Sequence, residues 1–137
     1  MDNDNKFSDS LPKVFQNQVA QHLLRHRSFL DISSKYQEAS VRVNRALMKA
    51  VTDCGCIEVQ ATRQPYTPNA TFSELKNAFK THLSGDLCDH CQEIIKDEVG
   101  KNLFYMAALC NLIHVDLVEV FEQELDKMNT LGIFNLR

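Results

Sequence analysis

The sequence predicts an all-α protein, an antiparallel bundle of about four to five helices with a cysteine-bearing insertion. Three observations carry this. Only four Gly and three Pro interrupt 137 residues, so few positions break a helix and many long side chains favour one. Apolar residues recur at steps of three and four in several long segments, the period of a helix face. Hydrophobic residues make up 44% and charged residues 24%, enough for one domain with its own core. Residues 1–10 are polar and read as a disordered lead-in without the apolar stretch of a secretory signal. Residues 11–137 read as a single helical domain, with the insertion over about 54–91.

The first helix is expected over about 12–30. Pro12 suits a first turn, where its missing N–H is not needed, and Val14, Phe15, Val19, Leu23, Leu24 and Leu30 fall near one face. Asp31 reads as the N-cap of a second helix reaching about residue 53. Its stripe Ile32, Tyr36, Ala39, Val43, Ala46, Ala50 steps by 4, 3, 4, 3, 4, which predicts either an antiparallel pairing or a dimer seam. Gly55 is the stop. Residues 57–59 read as extended, and 64–71, with Pro65, Pro68 and Asn69, as loop. A short helix is expected over 73–82, broken by Ser84, Gly85 and Asp86.

A long helix then spans about 87–113, with Ile95, Val99, Leu103, Met106, Cys110 and Ile113 as its inner stripe. Gly100 in its middle suggests a close helix contact, because glycine there otherwise costs about 1 kcal/mol against alanine. Asp116 reads as the N-cap of a last helix with Leu117, Phe121, Leu125 and Met128 inward and Gly132 as its end. The apolar tail 133–136 should dock.

Function classes narrow quickly. No stretch reaches the ~20 apolar residues of a membrane helix. A net charge of −3 and a pI near 5.9 argue against a nucleic-acid surface. There is no Gly-rich phosphate loop and no Gly-x-Ser-x-Gly elbow.

Cysteine chemistry stands out. Cys54-Gly55-Cys56 and Cys88-Asp89-His90-Cys91 form two close pairs separated by 31 residues. Each spacing lets both sulfurs reach one ion, and four thiolates suit tetrahedral Zn²⁺ or iron. Each pair falls at an expected helix end, so one ion would clip the two bases of the insertion. Unbound thiols and a redox disulfide are the alternatives. With neither a secretory signal nor a membrane helix in the sequence, the expected setting is cytoplasmic, where thiols stay reduced and paired cysteines more often bind metal than form disulfides. Cys110 reads as a core residue and His90 as solvent-exposed. His22 and His26, at i and i+4 beside Arg25 and Arg27, read as a surface pair. Lys35, Arg42, Arg45 and Lys49 lie mostly off the second helix's stripe, as a solvated face or phosphate contacts.

Carboxylates form a second constellation. Asp97-Glu98-Val99-Gly100-Lys101-Asn102-Leu103-Phe104-Tyr105 sets acids ahead of an apolar run, and Ile113-His114-Val115-Asp116-Leu117 follows. This resembles the MazG-like all-α nucleoside triphosphate pyrophosphohydrolases, whose second acidic helix opens on a Glu-Glu-x-Gly-Asp-x-Leu-Phe-Tyr-like segment. Lys35-Tyr36-Gln37-Glu38-Ala39-Ser40-Val41 resembles that family's first acidic helix, Glu-Glu-x-x-Glu. The resemblance covers about 93–128 and part of 32–50.

It implies a helical bundle, commonly a dimer or tetramer. Carboxylates on two facing helices would hold Mg²⁺ on a nucleoside triphosphate and release a monophosphate and pyrophosphate. Carried onto this chain, the Mg²⁺ candidates are Glu38, Asp97 and Glu98, with Glu93 and Asn102 as substitutes. Gln37 and Val41 stand where further acids belong, and Lys101 replaces an Asp with a charge that opposes cation binding. The expectation is therefore a nucleotide-binding protein with weakened or lost hydrolase activity. The alternative is a zinc-clipped dimerisation or regulatory module without catalysis.

Overall fold

A computed structural model describes residues 10–23 and 28–131. Residues 1–9, Leu24, the basic run Arg25, His26 and Arg27, and everything from Gly132 lie outside the described residues. The bundle is all-α apart from one small two-stranded arm.

Helix α1 (Leu11–His22) starts with Pro12 in its first turn, as expected. It stops well short of residue 30: Leu23 leaves helical geometry while its N–H still reaches Val19 O. Helix α2 (Phe29–Lys49) begins two residues before Asp31, with Ser28 extended at its N-cap position. Asp31 instead sits in the first turn, where a carboxylate favours the positive end of the helix dipole. The expected α2 stripe is inward at all six positions, with Ile32, Ala39 and Ala50 fully buried. It packs along helix α4 (Asp89–Leu112) within the same chain. The heptad-like pattern thus marks an intramolecular antiparallel pair rather than a dimer seam. Asn102 Nδ2 donates to Ser40 Oγ at 2.7 Å, and Cys54 Sγ lies 3.8 Å from Cys88 Sγ. These two pairs fix the register along the whole contact.

The α4 face differs from the expectation. Cys91, Ile95, Glu98, Asn102, Tyr105 and Ala108 turn inward, while Val99, Leu103 and Ile113 are exposed. From Leu103 to Ile113 the sequence is apolar nearly all round, so periodicity does not choose a face. The small Ala107 and Ala108 do, because they admit close approach of Ile32, Val19 and Leu117 in the main core. Cys110 packs against that core, as expected. Gly100 has open space where a Cβ would stand; no close contact requires it, contrary to the expectation.

Helix α5 (Leu117–Leu131) opens on Asp116, whose Oδ1 accepts from Val118 N at 2.9 Å. Leu117 is buried. Phe121, Leu125 and Met128, expected inward, are 53%, 54% and 46% exposed, because no element of the described chain covers that face.

Gln16 ties α1 to the α4–α5 turn. Its Nε2 donates to Val115 O at 2.8 Å, and its Oε1 accepts from Leu117 N at 2.9 Å. Both amide atoms are used and the residue is buried, so this polar group is satisfied inside the core.

Between α2 and α4 lies the insertion. Strand β1 (Ile57–Val59), expected as extended chain, pairs antiparallel with β2 (Leu83–Gly85). Helix α3 (Phe72–Ala78) carries a reciprocal capping box between Thr71 and Glu74. It ends four residues before the expected position. Gln64 takes both backbone groups of Lys80, accepting from its N at 2.9 Å and donating to its O at 2.7 Å. That leaves 80–82 free to lead into β2.

Candidate metal centre and carboxylate cleft

Three local features bring the four cysteines together. The last turn of α2 widens into a π-helical turn (Ala50–Cys54), closed by Gly55 N donating to Ala50 O at 2.9 Å. Gly55 takes φ +75°, a left-handed conformation that glycine reaches without strain, and the chain reverses so that Cys56 returns beside Cys54. On the other side, Cys88 is the N-cap of α4, its Sγ accepting from Cys91 N at 3.4 Å. The β1–β2 arm then sets Ile57 opposite Gly85, which brings one thiol pair to the other.

The Sγ atoms of Cys54, Cys56, Cys88 and Cys91 all lie within 4.8 Å of one another. The Cys54–Cys88 separation of 3.8 Å is about the sulfur–sulfur edge of a tetrahedron with ~2.3 Å metal–sulfur bonds. It is far longer than a disulfide of about 2.05 Å, and all five cysteines are free. Ala50, Ile57 and Cys91 form a small buried cluster below the sulfurs, with Val51 and Leu87 against it. Cys54 faces solvent. The donor set therefore fits one thiophilic ion at the junction of α2, the arm and α4; zinc and iron both suit four thiolates.

Electrostatics agree with the geometry. The Cys91 N–H, and then the Cys91 thiol, lower the Cys88 thiol to about 7. The neighbouring Cys88 and then burial push Cys91 up to about 12, and Cys88 likewise raises Cys54. Four thiols this close oppose one another's ionisation; a divalent cation at their centre would remove that conflict. His90 is exposed.

The carboxylates are arranged differently. Glu38 is exposed on α2 and held by Lys35 Nζ at 3.2 Å and Arg42 Nη2 at 3.1 Å, which together keep its carboxyl below the usual range. Asp97 is exposed, and Glu93 is exposed and pairs with Lys96 at 3.6 Å. Glu98 is half-buried, its Oε2 buried and without a hydrogen-bond partner. The antiparallel register sets Glu98 level with Asn44, six residues and about 9 Å along the helix from Glu38. Asn102 Nδ2 donates one hydrogen bond to Ser40 Oγ. Among the described residues, the cysteine set is the single place where three or more His, Cys, Asp or Glu ligand atoms converge so closely.

Glu38 instead shares a cleft of about 200 Å³ with Lys35, Ala39, Arg42, Lys101 and Tyr105. Three cations surround one carboxylate there. Lys101, which stands at an acidic position of the resembled motif, enters from α4. Sequence reasoning missed this grouping because it needs the α2–α4 register. It also missed Gln16, whose polar character gives no sign of burial. His22 bonds Gln18 within α1 at 3.2 Å; its expected companion His26 lies outside the described residues.

No single helix among the described residues is long and apolar enough to cross a membrane. Comparison of the chain with known protein families, with curated proteins and with solved structures finds no match.

Proposed function

We propose that this protein is a metal-stapled helical domain, MazG-like in ancestry, that binds the phosphates of a nucleotide between α2 and α4 without hydrolysing them. The staple is Zn²⁺ on Cys54, Cys56, Cys88 and Cys91, and its work is to hold α2 and α4 in register. A reducing cytoplasmic setting suits such thiolates. The observation that carries the nucleotide reading is Lys101 beside Lys35 and Arg42 in one cleft. The positive excess there attracts an anionic polyphosphate and repels free Mg²⁺.

The catalytic alternative leans on one specific observation, the unpartnered Oε2 of Glu98, an oxygen that a proton or cation would satisfy. One set of measurements separates the two readings. On the binding reading, nucleoside triphosphates raise the melting temperature equally with Mg²⁺ and with EDTA-free, Mg²⁺-free buffer. Lys101→Ala weakens the shift, and no pyrophosphate forms. Mg²⁺-dependent pyrophosphate release that disappears in Glu98→Gln would establish hydrolysis instead. Absence of any nucleotide effect in either buffer would leave a metal-clipped interaction module. Metal analysis of chelator-free protein tests the staple itself: about one zinc or iron per chain is expected.

A further inference from the structure

The four sulfurs of the candidate metal centre differ in how solvent reaches them. Cys91 is buried at the base of the group, in one cluster with Ala50 and Ile57. Cys56 is half-buried, and its thiol donates toward Ala50 O at 3.8 Å. Cys88 is half-buried as the N-cap of α4. Cys54, the last residue of the π-helical turn, is exposed. A small oxidant dissolved in water therefore meets Cys54 first. The thiolate that binds a metal is also the nucleophilic form of cysteine, and oxidation follows thiolate character and exposure.

A second thiol stands ready behind the first. Cys88 Sγ lies 3.8 Å from Cys54 Sγ, across the junction of α2 and α4. An exposed thiol beside a resolving neighbour is the arrangement of a redox-sensing pair. The fifth thiol, Cys110, packs against the main core and takes no part in this group.

We infer that the metal centre is a peroxide switch, in which Cys54 is oxidised, Cys88 resolves it, and their bridge replaces the departing ion as the staple. The inference rests on the metal reading given above. The Cys54 thiolate attacks one oxygen of hydrogen peroxide; the O–O bond breaks, hydroxide leaves and Cys54 becomes a sulfenic acid. The Cys88 thiolate then attacks the Cys54 sulfur; the S–S bond forms, the S–O bond breaks and a second hydroxide leaves. Two solvent protons turn both hydroxides into water. The two sulfurs together lose two electrons, and the peroxide gains them. Cys56 and Cys91 remain as half of a tetrahedral set, too few to keep the ion. A dithiol reductant reverses the step by exchange and lets the site reload.

Which pair bridges decides what happens to the fold. Cys54 ends the α2 side and Cys88 opens α4, so their bridge joins the same two elements that the ion joins. A Cys54–Cys56 or Cys88–Cys91 bridge would lie within one side and leave the helices unlinked. The oxidised protein therefore gives up its metal and keeps the insertion closed.

The test treats the zinc-loaded full chain with a modest molar excess of hydrogen peroxide. Released zinc is read with a chromophoric chelator, thiols by titration, and the bridge by fragmentation mass spectrometry. About one zinc per chain should appear, free thiols should fall from five to three, and the bridge should join Cys54 to Cys88. The oxidised, metal-free protein should melt above the reduced, metal-free protein, and dithiothreitol with added zinc should restore the starting state. Cys110→Ser should respond like the parent. Cys54→His keeps a zinc ligand at the exposed corner without a thiol, so its release should slow roughly tenfold or more; if that variant holds no zinc, the position of the bridge in the parent decides. A chain that takes up no zinc removes the staple reading and this inference with it. Zinc that stays bound under peroxide, a bridge within either pair, equally fast release from Cys54→His, or an oxidised form that melts with the reduced metal-free protein would overturn the inference alone.

Discussion

Removing the staple is the perturbation whose size the structure lets us calculate. Cys56 and Cys88 bracket 31 residues, and an ion bound at the four thiols would close them into a loop. Treated as a cross-link, closing a loop of that size removes about 4 kcal/mol of chain entropy from the unfolded state at 25 °C. The β1–β2 arm does not hold the closure alone: its strands are three residues each, and a two-stranded ribbon is marginal in water. With an unfolding entropy near 2.1 cal/mol/K per residue, that loss lowers the melting temperature by roughly 10–15 °C. The assay is thermal unfolding followed by far-UV circular dichroism, comparing metal-loaded protein with Cys88→Ser and with Cys110→Ser. Cys110 sits outside the thiol cluster and serves as the control. A Cys88→Ser protein that melts with the parent would refute the structural role of the site. So would one that loses no more than Cys110→Ser.

Other perturbations probe the scaffold. Gln16→Ala orphans the buried Leu117 N and takes the partner from the more accessible Val115 O, and should destabilise the domain by about 1–3 kcal/mol in urea unfolding; an unchanged midpoint would mean water replaces the amide. Gly100→Ala should add about 0.8–1 kcal/mol of stability, because helix propensity rises and nothing obstructs the new methyl; a loss would reveal an unseen neighbour. Gly85→Ala should open the arm and weaken metal retention in a chelator competition. Its Cβ would meet the Cys56 carbonyl at 2.5 Å, at a φ of +86°. In metal-stripped protein, alkylation at Cys88 should rise through pH 7 and Cys91 should react last, read by mass spectrometry. The sign follows from the lowered Cys88 thiol. Its contribution to stability is full above the unfolded value near 8.5 and disappears as pH falls through about 7.

The α2 stripe was legible in the sequence because polar residues separate its apolar positions, leaving a single buried face. The α4 face was not, since its second half is apolar on every side and only side-chain size decides which turns inward. The cysteine pairs were legible from spacing alone. Their meeting depends on the π-helical turn and on β2, whose Leu83-Ser84-Gly85 reads in sequence as a breaker. Periodicity assigns residues to faces but says nothing of their level along a partner helix. That is why Glu38 and Glu98 look like companions in sequence and stand about two turns apart in the fold. Gln16 escaped for a related reason: its partners are 99 and 101 residues away.

The arm that pairs Ile57 with Gly85 makes the stretch beyond it a side branch. Residues 60–82 leave and rejoin the bundle at one narrow neck, so their length and sequence are decoupled from the α2–α4 geometry. Doubling such a loop adds only about 0.6 kcal/mol of closure entropy. A fluorescent reporter or affinity tag grafted at Thr67-Pro68 would therefore travel with the domain while leaving its core untouched. Over evolutionary time, the same neck allows this branch to diversify while the helices behind it stay fixed.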